Sequence, residues 1–248
     1  MNQKQLKGSQ TAKNGFANED DIINKFNEWK SDEDSQKWLI IMGYSLDEIE
    51  NVIAVKVPSG NKSDIQAQIS IYLKNVIDAQ NIQVKLVSNK RGFNQIDRRW
   101  VDKCIEQWDM PEDIATILKY FTGELPPYKE SRNRKRMFMD EFSLPQQQSV
   151  INWLENNKTI IVSDILKGRG QFSSEWLLVA QKLDKNSKWI LKPINYCLNF
   201  YGNEAVSITS RGSLNIGKIG LQRKGGDGGR MSANQLQFKI DPTLLFDE

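Results

Sequence analysis

Apolar positions change period three times along this chain, and each change marks a change of element. Phe16, Ile22, Ile23, Phe26 and Trp29 recur at helical spacing with charges between them, predicting an amphipathic helix over Gly15–Lys30 and a second helical piece over Ser35–Met42. The period then falls to two. Residues 52–57, 64–73 and 80–87 are β-branched and alternating, as strands are, with Pro58-Ser-Gly-Asn61 as the turn between the first pair. From Asn94 to about Asn157 helical spacing returns, interrupted at Gly123-Glu-Leu-Pro-Pro127 and by a basic loop, with Pro145 opening the helix that carries Val150, Ile151, Trp153 and Leu154. Beyond Asn157 the chain reads largely as strand and turn, with glycine-rich turns at 168–170, 217–220 and 225–229. This order of elements argues an α/β or α+β architecture.

Composition narrows the chemistry. The 248 residues include no histidine and two cysteines, Cys104 and Cys197. Histidine-based nucleophilic catalysis, histidine-ligated metals and zinc held by cysteine and histidine are thereby excluded. Carboxylates, amides, lysines, hydroxyls and backbone groups remain, and the cations suited to them are hard, oxygen-liganded ones. The cysteine count points to a reducing compartment such as the cytosol. The amino terminus is polar, without the apolar core of a secretory signal, and the longest apolar runs fall far short of the ~20 residues a bilayer span needs, so no membrane association is expected.

The net charge of +3 is uninformative as a total, but its distribution is uneven. Residues 1–64 carry 8 basic and 11 acidic side chains, leaving 26 and 20 for residues 65–248. The basic excess concentrates at Lys90-Arg91, Arg98-Arg99, Lys129–Arg136 and Arg223-Lys224. Such clusters attract phosphates, although a solvated loop accounts for any one of them alone.

Candidate chemistry sits at Ser63-Asp64 and, after eighteen intervening residues, at Gln83-Val84-Lys85. Gln83 and Lys85 project from one face of their strand while Val84 points to the other. A lysine at the sheet is costly to bury without a partner or a metal. Asp64 can ligate a divalent cation, Gln83 can add a neutral oxygen, and Lys85 can orient or deprotonate an attacking water while stabilising charge developing on a phosphorane. An amphipathic strand with a solvated polar face fits the same spacing.

Ser-Asp-x18-Gln-x-Lys resembles the variant of the PD-(D/E)xK nuclease motif in which glutamine replaces the second acid. The stretch Asn81–Asp97 is similar to that of the HinP-type, GCGC-cutting type II restriction endonucleases. The similarity continues through Phe121–Tyr128, Asp164–Gly170, Ile219–Arg230 and Leu236–Pro242. It implies a restriction-endonuclease-like α/β core, a mixed central sheet flanked by helices, with a β-rich C-terminal DNA-recognition lobe. One compact domain over 1–248 is expected, with approximate lobes at 1–110 (catalytic), 111–160 (helical) and 161–248 (recognition). The resemblance also implies that Asp64 and Gln83 hold the metal, Mg²⁺ with Mn²⁺ able to substitute, and that Lys85 is the motif lysine. Glu19 on the first helix is the extra acid expected near the site, although an acid in a first turn also suits the helix dipole. Ser63 either positions a water or metal-bound group or caps the turn into its strand.

Double-stranded DNA is the partner this implies. Phe93, on the basic loop Ser88–Gln95, is expected to wedge between base pairs with Gln95 near the same bases, and Lys90, Arg91 and Asn94 flank it. In the C-terminal lobe Arg211, Gln222, Arg223, Lys224, Asp227 and Arg230 lie among glycines. Arg and Lys suit guanine O6 and N7, and Asp227 suits the cytosine amino group. Lys129, Arg132, Arg134, Lys135 and Arg136 suit phosphates. The expected activity is Mg²⁺-dependent hydrolysis of duplex DNA at GCGC after the first G, giving 5′-phosphates, in a system with a cognate DNA methyltransferase. The palindrome implies two-fold use of the protein, by a homodimer or by one monomer cutting the strands in turn. The rivals are a catalytically silent DNA-binding protein and a repair nuclease of the same fold.

Overall fold

The computed structural model describes residues 17–57, 66–183, 186–226 and 230–247. Ser63, Asp64, Asp227, the turn at 58–61 and Gly228-Gly229 lie outside the described residues. The chain divides into two compact units. The first comprises Met1–Asn94, Lys167–Cys197 and Asp241–Glu248; the second, Gln95–Leu166 and Leu198–Ile240.

In the first unit, helix α1 (17–27) and helix α2 (Glu33–Ile41) precede strands β1 (Ile49–Val57), β2 (Gln66–Leu73) and β3 (Val76–Val87). Asp32 caps α2 by accepting from the Ser35 N–H at 2.8 Å, and Lys25 ties α1 to that cap through Asp32 and Asp34, at 2.9 and 3.0 Å. Strands β5 (Trp176–Leu183) and β6 (Asn186–Pro193) complete a five-stranded sheet in the order β1-β2-β3-β5-β6. The β3–β5 pair is parallel and every other pair antiparallel, so the sheet is mixed, as expected, with β3 at its centre. Ile22, Phe26 and Trp29 on and just beyond α1, with Trp38 and Leu39 of α2, pack into one apolar cluster with Ala54, Ile69, Ile71, Ile82, Val84 and Leu178. That cluster covers one face of the sheet, and it is the hydrophobic burial that fixes which way β3 faces.

The second unit begins with a departure from the sequence reading. Residues 94–99 form a strand, β4 (Asn94–Arg99), where helical spacing was expected. Asn-Gln-Ile-Asp-Arg-Arg has a single apolar residue, so no alternation announces it. Its polar side chains are instead satisfied by neighbours in the fold: Gln95 accepts from Gln237 at 2.5 Å, and Arg99 pairs with Asp97. Helices α3 (Val101–Trp108), α4 (Glu112–Thr122), α5 (Leu144–Asn156) and α6 (Lys158–Leu166) follow. Ser143 caps α5 in a reciprocal box with Gln146, with Pro145 inside the first turn. Helix α6 and helix α7 (Ile194–Gly202) both fall in the stretch beyond Asn157 that reads as strand and turn. In α7 the helical pattern is short: buried Ile194, Cys197, Phe200 and Tyr201 keep helical spacing over too few residues to stand out between strands. Strands β7 (Val206–Ile208), β8 (Leu214–Ile216), β9 (Ile219–Arg223) and β10 (Leu236–Ile240) form the second sheet, in the order β4-β10-β9-β8-β7.

A buried charge network anchors this unit. Arg99 pairs with Asp97 and, at 2.8 Å, with Asp164; the indole N–H of Trp108 also donates to Asp164 at 2.9 Å, and the guanidinium lies 4.7 Å from the Trp108 ring centre. Glu141 organises the basic loop. Burial opposes its ionisation, but hydrogen bonds from the Arg132 and Phe138 N–H groups, the Ser131 hydroxyl and the Arg132 guanidinium outweigh it and hold the carboxyl at about 2. A depressed carboxyl contributes stability that is present above its unfolded value of 4.5 and lost as pH falls toward 2. Glu141→Gln should therefore lose stability at neutral pH, with the gap from the unsubstituted protein closing between these limits; urea unfolding at stepped pH measures it, and a constant gap would refute the assignment.

Candidate active site and nucleic-acid interface

The centre of β3 is buried on both faces. Ile82 and Val84 face the apolar cluster, while Gln83 is 0% exposed and Lys85 4% on the opposite face. This removes the alternative of a solvated polar face. Gln83 lies opposite Gln66 of β2 and beside Leu177 of β5, and Lys85 lies beside Val179. Asp64 is two positions before Gln66 in sequence and is outside the described residues.

Two neighbouring amides on this face behave differently. Asn81 is fully engaged: its N–H donates to Glu175 at 2.8 Å, its side-chain nitrogen donates to the Gln171 carbonyl at 3.0 Å, and its oxygen accepts from Gln68 at 3.3 Å. The Gln83 side chain, two residues on, has both polar atoms buried with no hydrogen-bond partner among the described residues. An orphaned buried amide costs about 1–3 kcal/mol, so the fold tolerates an unfilled valence here while filling it at Asn81. A neutral oxygen aimed into a dry site next to a buried lysine fits a divalent cation as its missing partner. Among the described residues no group of three or more acidic, cysteine or histidine side chains gathers as a metal site.

The structure brings Gln83 and Lys85 together on one strand face. Glu19 lies on α1 with its carboxylate 4.0 Å from Lys56 at the end of β1. Beside it, Asn18 is buried with both amide atoms unpartnered among the described residues, a position the sequence pattern did not single out.

The loop after β3 is held at several points within its own unit. Gln181 donates to the Asn89 and Lys90 carbonyls at 3.0 and 3.3 Å, Gly92 N–H to Asp241 at 3.4 Å, and Arg91 pairs with Asp247 at 2.5 Å. From this tethered loop Phe93 projects with 68% of its surface exposed. Lys90 is exposed and Asn94 half-buried.

In the second unit Gln95, Gln237 and Gln222 form an amide ladder across β4, β10 and β9. Gln222 donates to Gln237 at 3.2 Å, and Gln237 donates onward to Gln95. Gln237 is buried in the middle of the ladder, and only its pairing partner, not any sequence signal, reveals it. Arg223 donates twice to Asn234, at 3.2 and 2.6 Å. Arg211 is exposed in the turn after β7, Lys224 is half-buried and Arg230 exposed. Of the basic loop, Arg132 is engaged by Asp140 and Glu141, whereas Arg134 and Lys135 are exposed.

A mixed five-stranded sheet, a buried amide-lysine pair on its central strand and a β-rich second unit define a nuclease-like α/β protein. The structure is similar to that of the restriction endonuclease MspI in complex with its cognate DNA, with a TM-score of 0.63 over 89% of this chain and 87% of that one, at 16% identity. That likeness establishes the fold. The family described as R.HinP1I restriction endonuclease matches residues 42–246, and the chain belongs to it; it is a type II site-specific nuclease that acts on DNA. Enzymes of this kind generally use divalent metal ions. No curated protein shows a significant match.

Gln83→Met keeps the volume and removes the orphaned amide. It should leave the protein at least as stable as the parent, by about 1 kcal/mol or more in metal-free urea unfolding. A clear loss of stability would show that Gln83 has a structural partner.

Proposed function

We propose that the protein hydrolyses duplex DNA at GCGC, after the first G, in a Mg²⁺-dependent reaction that leaves 5′-phosphates. The observation that carries this reading is the orphaned amide of Gln83 beside Lys85 on a strand buried on both faces. Asp64 and Gln83 would hold the metal, which when bound polarises the scissile phosphate and makes water more acidic. Lys85 orients the attacking water and stabilises the negative charge that builds on the phosphorane oxygens. Water attacks in line and gives up a proton to solvent, the bond from phosphorus to the 3′ oxygen breaks, and solvent protonates the departing 3′ oxygen to a hydroxyl. Nothing in the scheme needs histidine. Ser63 and Glu19 are proposed as supporting polar groups.

Target recognition is assigned to both units. Phe93 wedges between base pairs from its tethered loop, with Lys90, Arg91, Asn94 and Gln95 alongside. Arg211, Gln222, Arg223, Lys224, Asp227 and Arg230 meet the DNA in the recognition lobe. An exposed phenylalanine on a held loop supports this, because its burial in a stack offsets a few kcal/mol of base unstacking. The palindrome is met by two-fold use of the protein, as a homodimer in one version. A methyltransferase of the same specificity protects the host, and the setting is the bacterial cytoplasm.

Digesting a plasmid of known sequence with Mg²⁺ and mapping the ends tests substrate, site and products together: discrete bands ending at GCGC support the reading, and a smear or another site overturns it. Asp64→Ala should lower cleavage by about a thousandfold or more while gel-shift binding persists. Phe93→Ala should lower cleavage by about tenfold with an unchanged unfolding midpoint, and full activity in that variant would exclude the wedge.

A further inference from the structure

Two partly buried guanidiniums in the second unit, those of Arg136 and Arg223, have no carboxylate within ion-pair distance among the described residues, whereas the other unpaired arginines there are exposed. In the basic loop the acids are spent on Arg132: Asp140 and Glu141 both pair with it, and Glu141 also takes the Ser131 hydroxyl and the Phe138 N–H. Arg136 makes no ion pair of its own: Glu141 acts on it only at longer range, and its direct contacts are neutral. Its guanidinium lies 4.0 Å from the Phe138 ring centre and 5.6 Å from that of Phe121, and donates at 3.4 Å to the Phe121 carbonyl. Arg223, at the end of β9, donates to the Asn234 side-chain oxygen and to no other group among the described residues.

One backbone corner ties the two together. Asn234 donates its amide to the Gly123 carbonyl at 2.7 Å, so the group that orients Arg223 is anchored at the C-cap of α4. The same glycine abuts the basic loop: a Cβ at Gly123 would lie 2.6 Å from the Lys135 carbonyl and 3.3 Å from the Arg136 Cβ. Gly123 also has φ +85, so no L side chain fits there on either ground. Burial, and after it the neighbouring Arg223, bring Arg136 down to about 10, and burial lowers Arg223 as well. Arg136 and Arg223 are close enough to repel, each is held directly by neutral groups and each is partly desolvated, so an anion shared between them would relieve both costs.

We propose that Arg136 and Arg223 form a preorganised anion site that holds one phosphodiester group of the DNA backbone, framed by Gly123, Asn234 and Phe138. The ligand is a singly charged phosphodiester, which two planar forks clamp through parallel N–H donors. The site contributes affinity and register and reads no base. This rests on the chain's action on DNA and not on the GCGC assignment, so the test includes duplex that lacks that sequence.

Fluorescence anisotropy with labelled duplexes, with and without GCGC, in EDTA over a series of KCl concentrations is the experiment. Arg136→Gln and Arg223→Gln should each weaken binding to both duplexes by the same factor, about tenfold at the lowest salt, and lower the slope of log affinity against log salt by about 1. Because each variant removes one of two like charges, its unfolding midpoint in urea should match or exceed the parent's. Unchanged affinity and slope overturn the proposal. A loss confined to the GCGC duplex overturns it in favour of base reading, and a lowered midpoint in both variants overturns the unpaired-charge premise.

Discussion

Strand β3, central in a five-stranded sheet, is buried on both faces over residues 81–85, yet it carries an amide and a lysine there. Everything around it follows from that conflict. Ile82 and Val84 secure one face by joining the apolar cluster of α1, α2 and the neighbouring strands. That hydrophobic side gives the strand no freedom to rotate its polar residues into water, since a slip of one position would bury the wrong set. Gln83 and Lys85 are thus held in a dry environment by a packing energy they do not themselves supply. A site of this kind is preorganised: its groups are positioned and desolvated before DNA arrives, which is where electrostatic interactions with a phosphate are strongest.

The second unit solves a different problem, that of keeping positive charge available. A surface arginine next to an acid is neutralised, and Arg132 is so treated. Arg99 is likewise consumed by Asp97 and Asp164 to hold the unit together. Arg223 and Arg136 are restrained by an amide, by carbonyls and by aromatic rings, which fix geometry without cancelling charge. The amide ladder from Gln222 to Gln95 applies the same economy to neutral donors and acceptors, aligning side chains from three strands through mutual hydrogen bonds.

How much of this was legible in the sequence depends on whether local pattern or long-range pairing decides the feature. The three strands around the site were readable because β-branched residues alternate there, and the mixed character of the sheet follows from the joined hairpins and one crossover. Gln83 and Lys85 were readable because period two puts both on one face. That this face is buried was not, since it depends on β5, which returns from far along the chain. Strand β4 was misread because its stability comes from side-chain pairs with β10 rather than from apolar alternation. The Arg136–Arg223 arrangement was likewise invisible: its two halves are joined only through Gly123 and Asn234. Charge counting marked both arginines as basic but not which of them had been neutralised.

The order in which the strands arrive has a consequence for how the enzyme comes to life. Strand β3 ends at Val87, and the neighbour that pairs with its other edge, β5, starts at Trp176. While the chain is being synthesised, β3 is therefore an edge strand, and the face bearing Gln83 and Lys85 lacks Leu177 and Val179 beside it. The face bearing Gln83 and Lys85 therefore gains its second neighbouring strand only once the chain has been made as far as Leu183, and β6 then covers the free edge of β5. A chain shorter than that lacks the packing beside Gln83 and Lys85 on which the proposed chemistry depends.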